Sequence, residues 1–190
     1  MKINKKKRFW VVPICIVTIL AYVVWVSFLN INMGKTEIIS CNIGENISEN
    51  AYQYKASEYN ILTEKEFEKK YGVEIDDKLL GMYSDAKILT VNMEITKIDT
   101  DDSKIYKFDL SNLYAQTLTY SQGISYNLFT LINSETMELK NINDKIKIII
   151  PYCFVKDAFS ESTWNRFEDM SLKISFSNAD NSKKEIILHE

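Results

Sequence analysis

The stretch Ile88–Thr96 reads ILTVNMEIT. Its residues alternate in polarity, and the apolar ones are Leu89, Val91, Met93 and Ile95. This period of two is typical of a strand that has one face in a core and the other in solvent. Strands of that kind belong to antiparallel sheets. The stretch therefore predicts an all-β domain.

Similar patterns recur along the chain between turns rich in Asn and Asp, such as 99–103 and 178–182. They predict strands at 51–57, 106–110, 113–120, 145–155, 170–176 and 184–188, with a short one at 37–43. Pro151 predicts a bulge or an edge within an otherwise central strand, because proline donates no ladder hydrogen bond. The segment 126–132 fits either a strand or a short helix. Many short strands separated by such turns predict a β-sandwich.

One helix is predicted after the strand at 51–57. Thr63 and Glu66 have the spacing of a capping box, Leu62 and Phe67 that of a hydrophobic staple, and Gly72 marks the end. A single further turn is predicted after Ser160, where Phe159 and Trp164 repeat the staple spacing. Capping and solubility explain the glutamates of the first helix, so no catalytic role is assigned to them.

The segment Phe9–Ile31 contains no charged residue and follows a cluster formed by Lys2, Lys5, Lys6, Lys7 and Arg8. A helix of this length reaches across a hydrocarbon core of about 30 Å. Basic flanks stay in the cytoplasm. The sequence therefore predicts a transmembrane signal-anchor at 9–31, a cytoplasmic tail at 1–8, a tether at 32–50 and an extracytoplasmic domain at 51–190.

Two other interpretations of the N-terminus remain open. A cleaved signal peptide would have a shorter apolar core that ends in small residues, and Ala21 and Ser27 are poor cleavage sites because Ile19 and Trp25 precede them. A lipoprotein is suggested by Ile38–Cys41, although charged residues separate this motif from the apolar segment.

Charge and length restrict the possible partners. The chain has 23 basic and 26 acidic residues, and the part beyond residue 8 carries about −8 because all five N-terminal basic residues precede it. Such a domain does not attract a phosphate backbone, so a nucleic-acid partner is not expected. About 155 residues after the anchor are enough for one domain with a core of its own.

The cysteines leave one question open. Cys15 lies in the predicted anchor, whereas Cys41 and Cys153 would both lie outside the membrane, where disulfides form. A Cys41–Cys153 bridge and a buried free thiol at Cys153 are therefore both compatible with the sequence.

Several segments together resemble a known family. They are LTEKEFEKKY (62–71), ILTVNMEIT (88–96), DLSNLYAQT (109–117), NLFTLIN (127–133), IIIPYCF (148–154) and FSESTW (159–164). The chain resembles a family of small membrane-anchored proteins of low-GC Gram-positive bacteria that carry an immunoglobulin-like domain of unknown function. The resemblance implies an immunoglobulin-like β-sandwich outside the cell, and it supplies no catalytic or binding residue.

No catalytic, cofactor-binding or metal-binding residue can be assigned from the sequence. His189 is the only histidine, and neither zinc-ligand spacing nor a phosphate-binding glycine motif occurs. Two acidic groups, Asp99/Asp101/Asp102 and Glu74/Asp76/Asp77, fit either solvated turns or an oxygen-ligand cation site. The aromatic residues fit core positions or a binding patch; those at core-facing spacing include Tyr52, Tyr54, Tyr106 and Trp164.

The sequence leads us to expect a membrane-anchored binding or interaction module without cofactors. Its expected partners are the lipid bilayer, through 9–31, and an unknown protein or cell-wall ligand. Two alternatives remain. One is a cell-envelope hydrolase with an unrecognised carboxylate site. The other is an accessory subunit whose helix packs in a membrane complex, although 9–31 has no glycine for close packing.

Overall fold

The computed structural model describes residues 5–32, 37–76, 85–99, 110–133, 139–177 and 182–189, and in the first helix the side chains of 15–28. The chain divides into two compact units, Met1–Thr36 and Glu37–Glu190. Most of the strand predicted at 106–110, with Tyr106, lies outside the described residues, as do Asp101, Asp102 and Asp77.

The first unit contains one helix, α1 (Lys5–Asn32). Most of its described large apolar side chains are exposed, among them Val17, Val24 and Phe28. The helix prediction for this segment is confirmed. Over the part of the chain that the structure describes, no helix has both the length and the apolarity needed to cross a membrane.

The second unit is a β-sandwich of two sheets, as the sequence predicts. Its strands are β1 (Glu37–Asn42), β2 (Ile47–Glu49), β3 (Tyr52–Leu62), β4 (Ala86–Lys97), β5 (Leu113–Gln116), β6 (Ser121–Gly123), β7 (Lys145–Val155), β8 (Leu172–Phe176) and β9 (Ser182–His189). One sheet has the order β1-β9-β8-β5-β6 and the other β2-β3-β4-β7. The neighbouring strands are antiparallel except for β1 and β9, which are parallel.

Two boundaries differ from the sequence prediction. The folded unit begins at Glu37 and not at residue 51, because β1 and β2 are strands of the two sheets and not part of a tether. The segment 113–120 forms only the short β5 and then a turn in which the Tyr120 backbone N–H donates to Thr117 Oγ1 over 3.1 Å. The local sequence does not define these two boundaries, because β1, β2 and β5 are set by pairing with strands that come later in the chain.

The main core lies between the sheets and includes Tyr52, Tyr54, Met93, Ile150 and Ile174. Two of the three named core tyrosines, Tyr52 and Tyr54, are thus confirmed, and so is Trp164, which is buried in the same cluster. Along the strands, the core residues occupy every second position, as expected for two sheets that face each other across one apolar layer.

Strand β3 contains an irregularity that reverses which residues face the core. Its register with β4 shifts between Ala56 and Glu58, a β-bulge. Before the bulge Tyr54 and Ala56 face the main core, and after it Tyr59 and Ile61 do so. Ser57 and Glu58 consequently both lie on the outer face, since a bulge adds one residue to one strand.

In the described part of the sandwich, four short helical segments follow strands, besides two 3₁₀ turns at 110–112 and 167–169. They are α2 (Glu64–Tyr71), α3 (Tyr126–Ile132), a 3₁₀ turn (Lys156–Ala158) and α4 (Glu161–Trp164). The capping box of α2 is confirmed: Thr63 N donates to Glu66 Oε2 over 2.8 Å, and Gly72 ends the helix with a positive φ of 67°. Ser160 caps α4 as predicted. The open question at 126–132 is resolved as a helix.

Helices α2 and α3 cover one end of the outer face of the four-stranded sheet. Phe67, Ile75, Ile88 and Leu128 form a second buried cluster there. This cover explains why β4 is buried on both faces from Ile88 to Val91. The prediction of a strand with one solvent face therefore holds only for the second half of β4.

Strand β7 is an edge strand and not the central one its apolar sequence suggested. The Asn133 side chain takes the place of a neighbouring strand: its Nδ2 donates to Ile149 O over 2.8 Å, and its Oδ1 accepts from Ile149 N over 3.0 Å. The backbone N–H and C=O groups that face away from β4 belong to every second residue of β7. Pro151 is two residues after Ile149, so its nitrogen also faces away from β4. The proline therefore costs no ladder bond, and the predicted edge position is confirmed without a bulge in the β4–β7 register.

Candidate functional site

The uncovered part of the outer face of the four-stranded sheet carries rows of polar side chains. Strand register places Lys55 opposite Glu94, and Glu94 opposite Lys147. The next row, towards the helices, contains Asn92 and Ile149, which are also direct register partners. Because neighbouring strands lie about 4.8 Å apart, each row brings side chains from three strands to one place.

A groove of about 530 Å³ lies over these rows. Its lining residues are Lys55, Ser57, Asn92, Met93, Glu94, Lys147, Ile148 and Ile149. We call it the β3–β7 groove. Its volume is within the range of small-ligand sites, and its walls combine ammonium, carboxylate, amide and hydroxyl groups with apolar contact area.

Glu94 is the acidic group of the groove, and its carboxylate leans towards the neighbouring row, where Lys145 lies opposite Thr96. Lys145 Nζ donates to its Oε1 over 3.0 Å, whereas Lys147 Nζ is 3.9 Å from Oε2. The hydrogen bond from Lys145 lowers the pKa of Glu94, and the charges of Lys145, Lys147 and Lys55 lower it further. Glu94 is therefore a carboxylate at neutral pH.

Lys55 is half-buried in the groove. Its charge acts on Glu94, yet among the described residues no carboxylate lies within ion-pairing distance of its Nζ. The three lysines around Glu94 leave a local excess of positive charge. This excess lies on a domain whose overall charge is negative.

The bulge shapes the β3 side of the groove. Glu58 Oε2 accepts from Asn92 Nδ2 over 3.3 Å, and Lys70 Nζ of α2 lies 3.9 Å from Glu58 Oε1. Ser57 Oγ donates to the Asn92 carbonyl over 3.4 Å. These contacts orient the Asn92 amide at the boundary between the open rows and the part that the helices cover.

The acidic groups from the sequence analysis do not form a site in the described part of the chain. Asp99, Glu74 and Asp76 are described and exposed. Within the described ranges, no group of three His, Cys, Asp or Glu side chains has a geometry that could hold a metal ion. His189 is the last residue of β9 and is exposed.

The possible Cys41–Cys153 disulfide is absent, since both cysteines are free thiols. Cys41 packs against the core between the sheets, whereas Cys153 packs against the cluster under α2 and α3. Burial raises the pKa of Cys153 to about 11, so this thiol stays protonated and unreactive at neutral pH.

Comparison with known proteins assigns the chain to a family. Residues 32–183 match the model of a domain of unknown function, DUF5028. The chain belongs to the DUF5028 family. No curated protein matches it. A solved structure described as an uncharacterised β-sandwich protein from Clostridium difficile 630 is 13% identical, covers 80% of this chain and 95% of its own, and has a TM-score of 0.41.

The match to DUF5028 includes every residue that lines the β3–β7 groove. Sequence reasoning missed this groove because its members are far apart in the chain and come together only through strand register. One signal was present: Lys55, Glu94 and Lys147 each occupy a polar position within an alternating strand. Without the register, such residues are indistinguishable from an ordinary solvated face.

Proposed function

We propose that this DUF5028 chain is a binding module whose ligand occupies the β3–β7 groove. The observation that carries the proposal is the open groove over the second half of β4, where half-buried Lys55 has no ion-pair partner among the described residues. A positive group held without a partner in a concave site favours binding of a complementary group.

Glu94, the carboxylate of the groove, favours binding over glycoside hydrolysis at this site. Glycoside hydrolysis needs one carboxylic acid with a raised pKa that donates a proton. The pKa of Glu94 is lowered, chiefly by the hydrogen bond from Lys145. The pKa of Glu66 is lowered by its hydrogen bonds with Thr63. Both groups are therefore ionised at neutral pH and are unsuited to act as the general acid.

We propose further that α1 anchors the module in a membrane, with residues 1–8 in the cytoplasm and the sandwich outside. Support comes from the uncharged segment 9–31, its basic flank and the exposed apolar side chains of α1. Extraction of membranes with alkaline carbonate should leave the chain in the pellet. Release into the supernatant would contradict the anchor.

The strand order supports an immunoglobulin-like assignment for the sandwich. If β3 to β9 are equated in chain order with strands A, B, C, C′, E, F and G, the two sheets contain the orders A-B-E and G-F-C-C′, with β2 added beside A and β1 beside G. These are the sheet orders of immunoglobulin domains without strand D. Asn133 and the Ile124–Tyr152 bridge occupy the outer edge of β7, next to which strand D would pair.

In-cell photo-crosslinking tests the binding role of the groove. A photoreactive amino acid replaces Ser57, which lines the groove, and in a separate strain Ser121, an exposed serine of the other sheet. We expect a discrete adduct from position 57 and none of the same mass from position 121. Both variants must accumulate to the level of the unmodified protein.

A second variant controls for the local environment of the probe. Replacing Ile149 with arginine should fill the groove and abolish the adduct from position 57, because its side chain faces the same space. Equal adducts from positions 57 and 121, or an adduct that survives the filled groove, would contradict binding in the groove. Exchange of residues 9–31 for an unrelated apolar helix should leave the adduct in place, whereas an accessory subunit that acts through its helix would lose it.

A further inference from the structure

The β3–β7 groove has a charge pattern that favours one chemical class of ligand. Of its two lining lysines, Lys55 has no ion-pair partner among the described residues, and Lys147 has only the 3.9 Å contact with Glu94. Lys147 is also 84% exposed. Both ammonium groups are therefore available to an added anion.

Glu94 limits how much negative charge the ligand can carry. Its carboxylate lies between the two lysines in the register and leans towards Lys145, with which it makes its 3.0 Å bond. A ligand carboxylate adds one negative charge beside Glu94, whereas a dianionic phosphate adds two and is repelled more strongly by it. The groove lining contains neither an arginine nor a glycine-rich turn, the features that usually hold phosphate.

The other lining groups match a peptide. Asn92 offers an amide, and Ile149 offers apolar contact, whereas the Met93 and Ile148 side chains are buried in the core between the sheets. The rows run across three strands and the groove continues along them, so an extended chain can place every second side chain on the sheet surface. An acidic side chain over the lysine row would be followed, two residues on, by a side chain over the row of Glu58, Asn92 and Ile149, where an apolar side chain can contact Ile149.

We infer that the β3–β7 groove binds an extended acidic segment of a protein, whose carboxylate lies between Lys55 and Lys147. This inference rests on the proposed binding function and adds the class of ligand. Charge complementarity selects the occupant: the groove is locally positive, while the domain as a whole is negative and so repels a second copy of itself.

Peptide binding to the full-length protein in detergent tests the inference by fluorescence anisotropy. One labelled ten-residue peptide carries glutamate and valine in turn at every second position, and its matched control carries glutamine in place of glutamate. We expect the acidic peptide to bind at least about fivefold more tightly at low salt, and to weaken as the ionic strength rises. Inorganic phosphate at the same charge concentration should compete poorly.

Variants connect this preference to the groove. Lys55→Gln should weaken binding of the acidic peptide about fivefold, and Glu94→Gln should tighten it, since each changes one charge beside the ligand. Lys65→Gln, which changes an exposed lysine on α2, is the matched control and should have no effect. Thermal melting checks that the variants remain folded.

The outcomes separate the two proposals. Equal binding of the glutamate and glutamine peptides, no binding of either, or equal effects of Lys55→Gln and Lys65→Gln would overturn the acidic ligand. Stronger competition by phosphate than by the acidic peptide would overturn it as well. An adduct from position 57 in the crosslinking experiment would leave the binding role of the groove standing in each of these cases.

Discussion

At the residue scale, Glu185 is a buried charged group on β9, a strand of the five-stranded sheet. It is only 4% exposed, and it pairs with Lys173 Nζ at 2.8 Å and Lys183 Nζ at 2.7 Å. Burial by itself would raise its pKa, but the hydrogen bonds and charges of the two lysines outweigh burial, so the pKa is lowered. The pair therefore stabilises the fold only while Glu185 is ionised.

Replacing Glu185 with glutamine should destabilise the protein by about 2 kcal/mol at pH 7, because two lysines lose a charged partner. A lowered folded pKa contributes stability above the unfolded pKa of about 4.3, and this contribution disappears as the pH falls through the folded value. Urea unfolding at pH 7 and at about pH 3 measures both. Glu168→Gln, which breaks the exposed 3.2 Å pair with Lys87, should cost less than about 0.5 kcal/mol. A pH-independent effect at position 185 would contradict this account.

Tyr152 presents the opposite situation, a buried polar atom that lacks a partner. Its ring is fully buried in the main core, and among the described residues its hydroxyl has no hydrogen-bond partner. Burial raises the pKa of this hydroxyl well above its ordinary range, so it stays neutral. An unsatisfied buried hydroxyl costs about 1–3 kcal/mol of desolvation.

Tyr152→Phe should therefore leave stability unchanged or raise it by about 1 kcal/mol, since it removes the hydroxyl and keeps the ring. Chemical denaturation measures the difference. A loss of more than about 1 kcal/mol would mean that the hydroxyl is hydrogen-bonded in solution. Tyr54→Phe, at another buried tyrosine of the same core, provides the comparison.

At the element scale, one asparagine closes the outer edge of β7 at Ile149. Asn133→Ala should remove both hydrogen bonds with Ile149 and destabilise the protein by about 1–3 kcal/mol. The amide of Ile149 should then exchange with solvent much faster, which NMR hydrogen exchange detects. Asn127→Ala, at an exposed position of α3, is the control and should leave that amide protected. Unchanged exchange in Asn133→Ala would show that another group protects the edge.

The elements also show which parts of the structure are predictable from sequence. The helix at Thr63–Gly72 is predictable, because its capping box and its terminal glycine depend only on residues within the segment. The alternating strands are, because one buried face imposes a period of two. The edge position of Pro151 also follows, since proline has no donor to lose.

Other features depend on partners that are distant in the chain. The sequence predicts a short strand at 37–43 within a polar tether, but only pairing with β9 and β3 makes residues 37–49 part of the two sheets. Burial of both faces of β4 comes from α2 and α3, and no pattern within β4 reports it. The β3–β7 groove depends on the strand register that places Lys55, Glu94 and Lys147 in one row. A bulge between Ala56 and Glu58 shifts the β3–β4 register on one side of this row.

At the scale of the whole molecule, the two units have different proposed roles. The proposed role of α1 is to hold the chain in a membrane, and that of the sandwich is to present the β3–β7 groove outside the cell. The acidic charge of the part beyond residue 8 suits such a display, because it prevents adsorption to anionic lipid headgroups. The groove would then remain open to a ligand from the envelope.

Protease treatment of intact, wall-stripped cells tests this arrangement most directly, with detection of a tag at the C-terminus. Display outside the cell predicts that the tagged band disappears from intact cells, while a cytoplasmic marker protein survives until detergent is added. If the tagged band instead persists in intact cells and is lost only after lysis, the sandwich is not outside, and the proposed envelope-facing binding role is contradicted.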